Sequence, residues 1–186
     1  ILIGLPTSNT CHTNSRYSMY LFNGGPDTKG PGSANTAVGI DDADWKSPEW
    51  TLGNPSLHIV GTAGDVNGDG YSDVMQTLDG AGTFLKVYHA GARGLGNPSL
   101  SIPSEKMQSY FGFCVASAGD VNNDGYADLM VGQPNYTNGQ TREGRVLLYL
   151  GSATGYSVNH SWVVESNLPE TQLGSVLSSA GDINGD

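Results

Sequence analysis

Short apolar segments separated by glycine, asparagine, aspartate and proline make up most of the chain. Aromatic and β-branched residues fill positions 17–22, 84–89 and 145–150, and a turn sequence follows each of these runs. Another short apolar run, at 57–62, 111–117 and 173–179, precedes each of three aspartate-rich stretches. Such runs are typical of strands, and no segment has the 3.6-residue period of an amphipathic helix. The pattern predicts an all-β protein with one twisted sheet of three or four strands in each repeated unit.

The aspartate-rich stretches are copies of one another. Residues 61–73 read GTAGDVNGDGYSD, residues 116–128 read ASAGDVNNDGYAD, and residues 177–186 read LSSAGDINGD. Their first aspartates, Asp65, Asp120 and Asp182, are 55 and 62 residues apart. A repeat of this length predicts a serial architecture, with one supersecondary unit in each repeat. We expect a single region over 1–186, with approximate repeats 1–56, 57–110 and 111–172 and a truncated unit at 173–186.

The repeat continues beyond the aspartates. Residues 129–134, LMVGQP, match residues 1–6, ILIGLP, in pattern. This register implies an aspartate immediately before Ile1, whereas Asp186 is the fifth position of another copy. We therefore interpret the chain as about three repeats of a longer protein, interrupted in the same loop at both ends.

The stretches share the pattern D-x-N-x-D-G-x-x-D, which suits a metal-binding loop. Oxygen side chains at positions 1, 3, 5 and 9 and the carbonyl of position 7 are hard donors, which favour Ca²⁺ over zinc or copper. The glycine at position 6 permits the sharp turn that such a loop needs. Two complete calcium sites and a third, truncated site are predicted. The metal ligands would be Asp65, Asn67, Asp69, Tyr71 and Asp73; Asp120, Asn122, Asp124, Tyr126 and Asp128; and Asp182, Asn184 and Asp186.

The same loop pattern also occurs in metal-free turns and, in part, in EF-hands. Aspartate, asparagine and glycine also form turns that bind no metal, but three copies with one spacing make that explanation weak. An EF-hand requires a glutamate at position 12 and flanking helices. Position 12 is Gln76 in the first loop and Val131 in the second, and the flanking residues are strand-like. The EF-hand is therefore excluded.

The third repeat resembles the FG-GAP family. The residues that carry the resemblance are Phe111-Gly112, the loop at 118–128, and the segment at 129–134 that ends in Gly132-Gln133-Pro134. FG-GAP repeats build the β-propeller of integrin α chains and of many bacterial cell-surface proteins. The resemblance implies one four-stranded antiparallel blade per repeat, with Ca²⁺ bound in the loop between two strands. Two departures stand out: Met75-Gln76-Thr77-Leu78 follows the first loop, and Leu173-Gly174 replaces Phe-Gly in the last unit.

Composition and charge narrow the range of partners. The 186 residues carry 18 Asp+Glu against 8 Lys+Arg, a formal net charge of -10. This balance argues against a nucleic-acid backbone or an anionic membrane surface as a partner. No apolar run reaches the roughly 18 residues of a membrane span, so direct membrane insertion is not expected. Whether Cys11 and Cys114 form a disulfide is left open.

The function expected from these features is that of an extracellular or cell-surface module for adhesion, binding a protein or a glycan, with structural calcium. A second possibility is a self-assembling module of a surface filament or layer, because an incomplete ring of blades leaves open sheet edges. A third is a non-catalytic part of a secreted hydrolase. No nucleophile motif is present, and His12, His58, His89 and His160 are scattered. We therefore predict that the chain is not an enzyme.

Overall fold

The computed structural model describes residues 2–6, 16–21, 45–46, 50–51, 60–78, 84–92, 94–96, 98–104 and 109–181. Throughout these residues the regular structure is β-strand, in three four-stranded antiparallel sheets. The prediction of an all-β fold made of β-propeller blades is confirmed. Among the described residues no helix has the length and apolarity needed to cross a membrane.

The first sheet lies at the N-terminal end of the chain. It contains β1 (Leu2–Pro6), β2 (Arg16–Leu21), β3 (Trp45–Lys46) and β4 (Trp50–Thr51). β2 pairs with β1 on one side and with the two short strands β3 and β4 on the other. The sheet therefore begins at β1, which has no described strand on its outer edge.

The second sheet is a simple meander. Its strands are β5 (Val60–Gly64), β6 (Asp73–Leu78), β7 (Phe84–Tyr88) and β8 (Pro98–Pro103), and they pair in chain order. The run predicted at 84–89 is confirmed as β7. Of the run predicted at 57–62, residues 57–59 lie outside the described residues, and β5 continues to Gly64.

The third sheet repeats this meander. Its strands are β9 (Val115–Gly119), β10 (Asp128–Gln133), β11 (Arg145–Tyr149) and β12 (Trp162–Glu165). β10 contains the consecutive apolar residues Leu129, Met130 and Val131, and all of its residues except Met130 are buried. In both meanders the aspartate loop joins the first strand to the second.

Two of the predicted strands need correction. The strand expected at 111–117 begins only at Val115, because Tyr110 and Gly112 have φ values of 56° and 75°, which belong to a turn. The strand expected at 173–179 is absent among the described residues. Only an isolated bridge between Gly144 and Leu173 occurs there, since residues 175–181 have no described ladder partner.

The core lies between the second and third sheets. Residues from one face of the β5–β8 sheet pack against residues from one face of the β9–β12 sheet, and all are almost completely buried: Met75, Leu85, Val87 and Ile102 on the first, and Leu129, Val131, Leu147 and Tyr149 on the second. Phe111, 2% exposed, enters the same cluster from the turn before β9. Its neighbour Gly112 has no room for a side chain, because an added Cβ would lie 2.6 Å from Cγ2 of Thr77. The Phe-Gly pair therefore joins consecutive blades.

Candidate metal centre

The first aspartate loop is a tightly turned segment held by its own side chains. The Asp65 carboxylate accepts hydrogen bonds from the backbone N–H groups of Asp69, at 3.0 Å, and Gly70, at 2.8 Å. Asn67 accepts from the Asp69 N–H at 3.1 Å and donates from Nδ2 to Asp69 Oδ2 at 3.2 Å. Asp69 Oδ1 accepts from the Tyr71 N–H at 3.0 Å. Positions 1, 3 and 5 are thus tied into one short loop.

The second loop repeats the same bonds. Asp120 accepts from Asp124 N at 3.0 Å and from Gly125 N at 2.8 Å. Asn122 accepts from Asp124 N at 3.2 Å and donates to Asp124 Oδ2 at 2.8 Å, and Asp124 accepts from Tyr126 N at 3.0 Å. Because two loops 55 residues apart share every one of these contacts, their common sequence pattern specifies a common geometry.

Position 4 of the loop requires a left-handed backbone conformation, which the sequence pattern alone did not predict. Its residue is Gly68 in the first loop and Asn123 in the second, with φ values of 72° and 59°. Glycine and asparagine are the residues that tolerate this left-handed backbone conformation best. The presence of glycine in one loop and asparagine in the other at this position could have predicted that conformation. At Gly68 a side chain is also excluded by the Tyr126 ring, 2.8 Å from an added Cβ.

The aspartate at position 9 differs from the others because it is completely buried. Asp73 and Asp128 are both 0% exposed. Asp73 Oδ2 accepts from Val66 N of its own loop at 3.0 Å, and Oδ1 accepts from Ala90 N, in the turn after β7, at 2.7 Å. This carboxylate therefore ties the aspartate loop to the turn that follows the third strand.

Asp128 makes the equivalent pair of bonds in the next sheet. Its Oδ2 accepts from Val121 N and its Oδ1 from Gly151 N, both at 2.8 Å. No sequence pattern predicted the contact with Gly151, which lies 23 residues further along the chain. Position 9 thus has a structural role beside its predicted role as a metal ligand.

Burial and the charges of the other loop carboxylates both act on the pKa of the aspartate at position 9. Burial raises the pKa of Asp128, the N–H groups of Gly151 and Val121 oppose the rise, and the charges of Asp124 and Asp120 add to it. Burial likewise raises the pKa of Asp73; its two N–H donors and His89 oppose that rise, and Asp69 adds to it. A cation beside these carboxylates would offset the repulsion between them.

The predicted ligands fit calcium by their chemistry. The side chains at positions 1, 3 and 5 of each loop are Asp, Asn and Asp, and their oxygens have the spacing of a calcium loop. In the described part of the chain, however, no three His, Cys, Asp or Glu side chains are grouped so as to hold a metal ion. The third predicted set, Asp182, Asn184 and Asp186, lies outside the described residues. The calcium sites therefore stay a prediction.

The acidic residues at the other end of the third sheet are engaged in local contacts. Glu143 is completely buried and accepts a hydrogen bond from the Asn138 N–H, whereas its Oε2 has no hydrogen-bond partner among the described residues. Glu165 accepts from Asn138 Nδ2 at 3.0 Å, and Glu170 forms a salt bridge with Arg142 at 2.5 Å. These contacts hold the loop after β10 against the segment after β12.

Parts of the chain are similar in sequence to known proteins. A protein-family model described as FG-GAP repeat matches residues 115–149. Integrin alpha-IIb of Mus musculus is 31% identical over 134 residues, which covers 64% of this chain and 13% of the relative. Integrin alpha-7 of Rattus norvegicus is 26% identical over 204 residues, covering 98% of this chain and 18% of the relative. Integrin alpha-PS2 of Drosophila melanogaster is 28% identical over 130 residues, which covers 66% of this chain and 9% of the relative.

The chain thus spans less than a fifth of the length of these integrin relatives. The matched segment at 115–149 begins with β9, includes the second aspartate loop and ends with β11. The resemblance expected from the aspartate loops and from Phe111-Gly112 is therefore confirmed: residues 115–149 match the FG-GAP repeat, and integrin α chains are among the relatives.

Proposed function

We propose that the chain is a calcium-stabilised part of an extracellular or cell-surface β-propeller that serves in adhesion. The observation that carries this proposal is the repeated loop. Two copies hold three oxygen-bearing side chains in one hydrogen-bonded turn and end on a buried aspartate that anchors the turn to its sheet. The integrin α chains among the relatives favour adhesion over other uses of such a propeller.

Calcium would be held in each loop by the side chains of positions 1, 3, 5 and 9 and by the position 7 carbonyl. In the first loop these are Asp65, Asn67, Asp69, Asp73 and Tyr71, and in the second Asp120, Asn122, Asp124, Asp128 and Tyr126. The ion would supply positive charge to loops that carry three carboxylates each. Its role would be structural, because it would fix the loop between the first two strands of a blade.

A protein or a glycan is the expected partner, and catalysis is not proposed. Glu143, Glu165 and Glu170 are engaged in hydrogen bonds or an ion pair with neighbouring residues of the third sheet and its loops. The integrin relatives are much longer than this chain, which matches only 13% of integrin alpha-IIb. The proposal therefore concerns a module and leaves its specific partner open.

Calcium should raise the thermal stability of the chain. At about 1 mM Ca²⁺, two sites with dissociation constants near 10⁻⁴ M would each add about 1.4 kcal/mol, which raises Tm by roughly 5–10 °C for a chain of this size. The measurement is thermal melting in calcium, in magnesium and in chelator. The double variant Asp65→Asn, Asp120→Asn keeps the size of the two side chains but removes their charge and one acceptor oxygen each, and should lose most of the shift. An unchanged Tm in calcium would refute the metal assignment.

Adhesion can be tested with beads that carry the purified chain. We expect calcium-dependent attachment to cultured cells. Treating the cells with glycosidases should abolish attachment if the partner is a glycan and leave it if the partner is a protein. Beads coated with an unrelated acidic protein are the control. Attachment no greater than that of the control beads in calcium would count against adhesion without affecting the calcium sites.

A further inference from the structure

Two short sequences in the third sheet have the form Asn-x-Ser/Thr, with a residue other than proline in the middle. They are Asn135-Tyr136-Thr137, in the loop after β10, and Asn159-His160-Ser161, in the connection between β11 and β12. In a secreted eukaryotic chain, such a sequence accepts an N-linked oligosaccharide when it lies in a surface loop. The two copies therefore differ as acceptors if the structure exposes one asparagine and encloses the other.

Asn159 lies at the surface. Its side chain is exposed and makes no hydrogen bond with the described part of the chain. The backbone around it is fixed, because the Asn159 N–H donates to Ser157 Oγ at 3.1 Å and the Ser161 N–H donates to the Leu148 carbonyl at 2.8 Å. The side-chain nitrogen of Asn159 is thus presented to solvent from a well-defined backbone and has room for a bulky substituent.

The other two residues of this sequence are arranged to match. Ser161, which supplies the hydroxyl group, is exposed like Asn159. The ring of His160 lies edge-on to the ring of Tyr149, with the two centroids 6.4 Å apart, and Tyr149 is only 2% exposed. The middle residue therefore packs against the sheet, while the two residues that define an acceptor sequence are both exposed.

The corresponding connection of the second sheet shows that a neighbouring blade leaves this position exposed. Trp162 and Leu100 pair with equivalent residues of the third strand in their sheets, so Ser161 corresponds to Ser99. The third sheet packs against the second through the shared core, and Ser99 is nevertheless exposed. Exposure of this connection therefore does not require an uncovered sheet.

Asn135 is enclosed by contacts with other segments. It is half-buried, its Oδ1 accepts a hydrogen bond from Gln172 Nε2 at 3.4 Å, and its N–H donates to the Ser109 carbonyl at 3.1 Å. The next residue, Tyr136, is 7% exposed, and the guanidinium carbon of Arg145 lies 3.8 Å from the centroid of its ring. An oligosaccharide on Asn135 would compete with these contacts for space.

We propose that Asn159 is an N-glycosylation site and that Asn135 carries no glycan in the folded chain. The co-reactant is a lipid-linked oligosaccharide pyrophosphate. The Asn159 side-chain nitrogen forms a bond to the anomeric carbon of the first sugar and gives up a proton to a base of the transferase. The bond between that carbon and the pyrophosphate breaks, and the pyrophosphate leaves with its electron pair.

This inference rests on the proposed extracellular function, because the transfer takes place in the secretory pathway. The relatives named above come from animals, whose cells have that pathway. The inference adds to the proposed function a covalent modification at one named position, and it does not depend on bound calcium.

Mass spectrometry of the 186-residue chain, secreted from cultured animal cells behind an added signal peptide, tests the proposal. Enzymatic release of N-glycans in heavy-oxygen water converts each occupied asparagine to a labelled aspartate. We expect the label at Asn159 and none at Asn135. Asn159→Gln and Ser161→Ala should each abolish the decrease in gel mobility that the glycan causes, whereas the matched control Asn135→Gln should leave that decrease unchanged.

A second measurement separates loss of the glycan from loss of the fold. In chains made in bacteria without the glycan, Asn159→Gln should leave the urea midpoint of unfolding unchanged, because its side chain is exposed. Chains retained inside the animal cells are analysed in the same way as secreted chains, so that poor secretion does not prevent the measurement.

Label at Asn135, or no label at Asn159, would overturn the proposal and leave the calcium and adhesion experiments unaffected. Conversely, label at Asn159 together with bead attachment no greater than that of the control would support the glycosylation site and count against adhesion. The two failures are therefore distinguishable.

Discussion

Replacing Asp128 by alanine is expected to lower the free energy of unfolding by about 3 kcal/mol in calcium-free buffer. The side chain is 0% exposed, and its two oxygens accept the N–H groups of Val121 and Gly151. Alanine would leave both donors without an acceptor at a site that little water reaches. Urea unfolding in the presence of a chelator measures this loss without any contribution from bound metal.

Asp124→Ala is the matched control for this experiment. Asp124 belongs to the same predicted calcium site, but it is exposed, and water can replace it as the acceptor of the Tyr126 N–H. In chelator its loss should stay below about 1 kcal/mol. In calcium both variants should also lose the stabilisation that the metal provides. Equal losses in chelator would show that position 9 has no anchoring role of its own.

Local sequence was enough to predict the blades and their aspartate loops. The strand at Phe84–Tyr88 and the strand at Arg145–Tyr149 follow from runs of aromatic and aliphatic residues that only a packed sheet accommodates. The loop shape follows from Asp, Asn and Gly at fixed spacing, because each side chain bonds to a backbone N–H two to five residues away. Contacts of such short range depend on the local residues alone.

Contacts between distant parts of the chain could not be predicted in this way. The bond from Gly151 to Asp128 depends on the length of the intervening hairpin, and no nearby residue specifies it. The start of β9 at Val115 depends on Phe111 entering the core between two blades, which turns the backbone at Gly112. Each of these outcomes depends on which sheet lies next to which.

Contacts between blades also link the two aspartate loops to each other. The Asp65 carbonyl accepts from Ala127 N, which adjoins the second loop, at 2.8 Å. The Val66 carbonyl accepts from Ser152 N at 3.2 Å. The first loop is therefore held by the second loop and by the turn after β11, so a change at that turn should disturb both loops together.

Gly151→Ala is expected to destabilise the chain by about 3 kcal/mol, through overpacking at this junction. An added Cβ would lie 2.6 Å from the Ala127 carbonyl oxygen and 3.0 Å from that of Val66, and backbone atoms cannot rotate away as a flexible side chain can. Gly91→Ala, in the corresponding turn of the second sheet, is the control because no atom of the described residues lies within 4 Å of its added Cβ. It should change stability by less than about 0.5 kcal/mol. Urea unfolding measures the free energy of unfolding of both variants. A loss below about 0.5 kcal/mol for Gly151→Ala would mean that the two blades are less closely packed at their loops than the Cβ distances at Gly151 indicate.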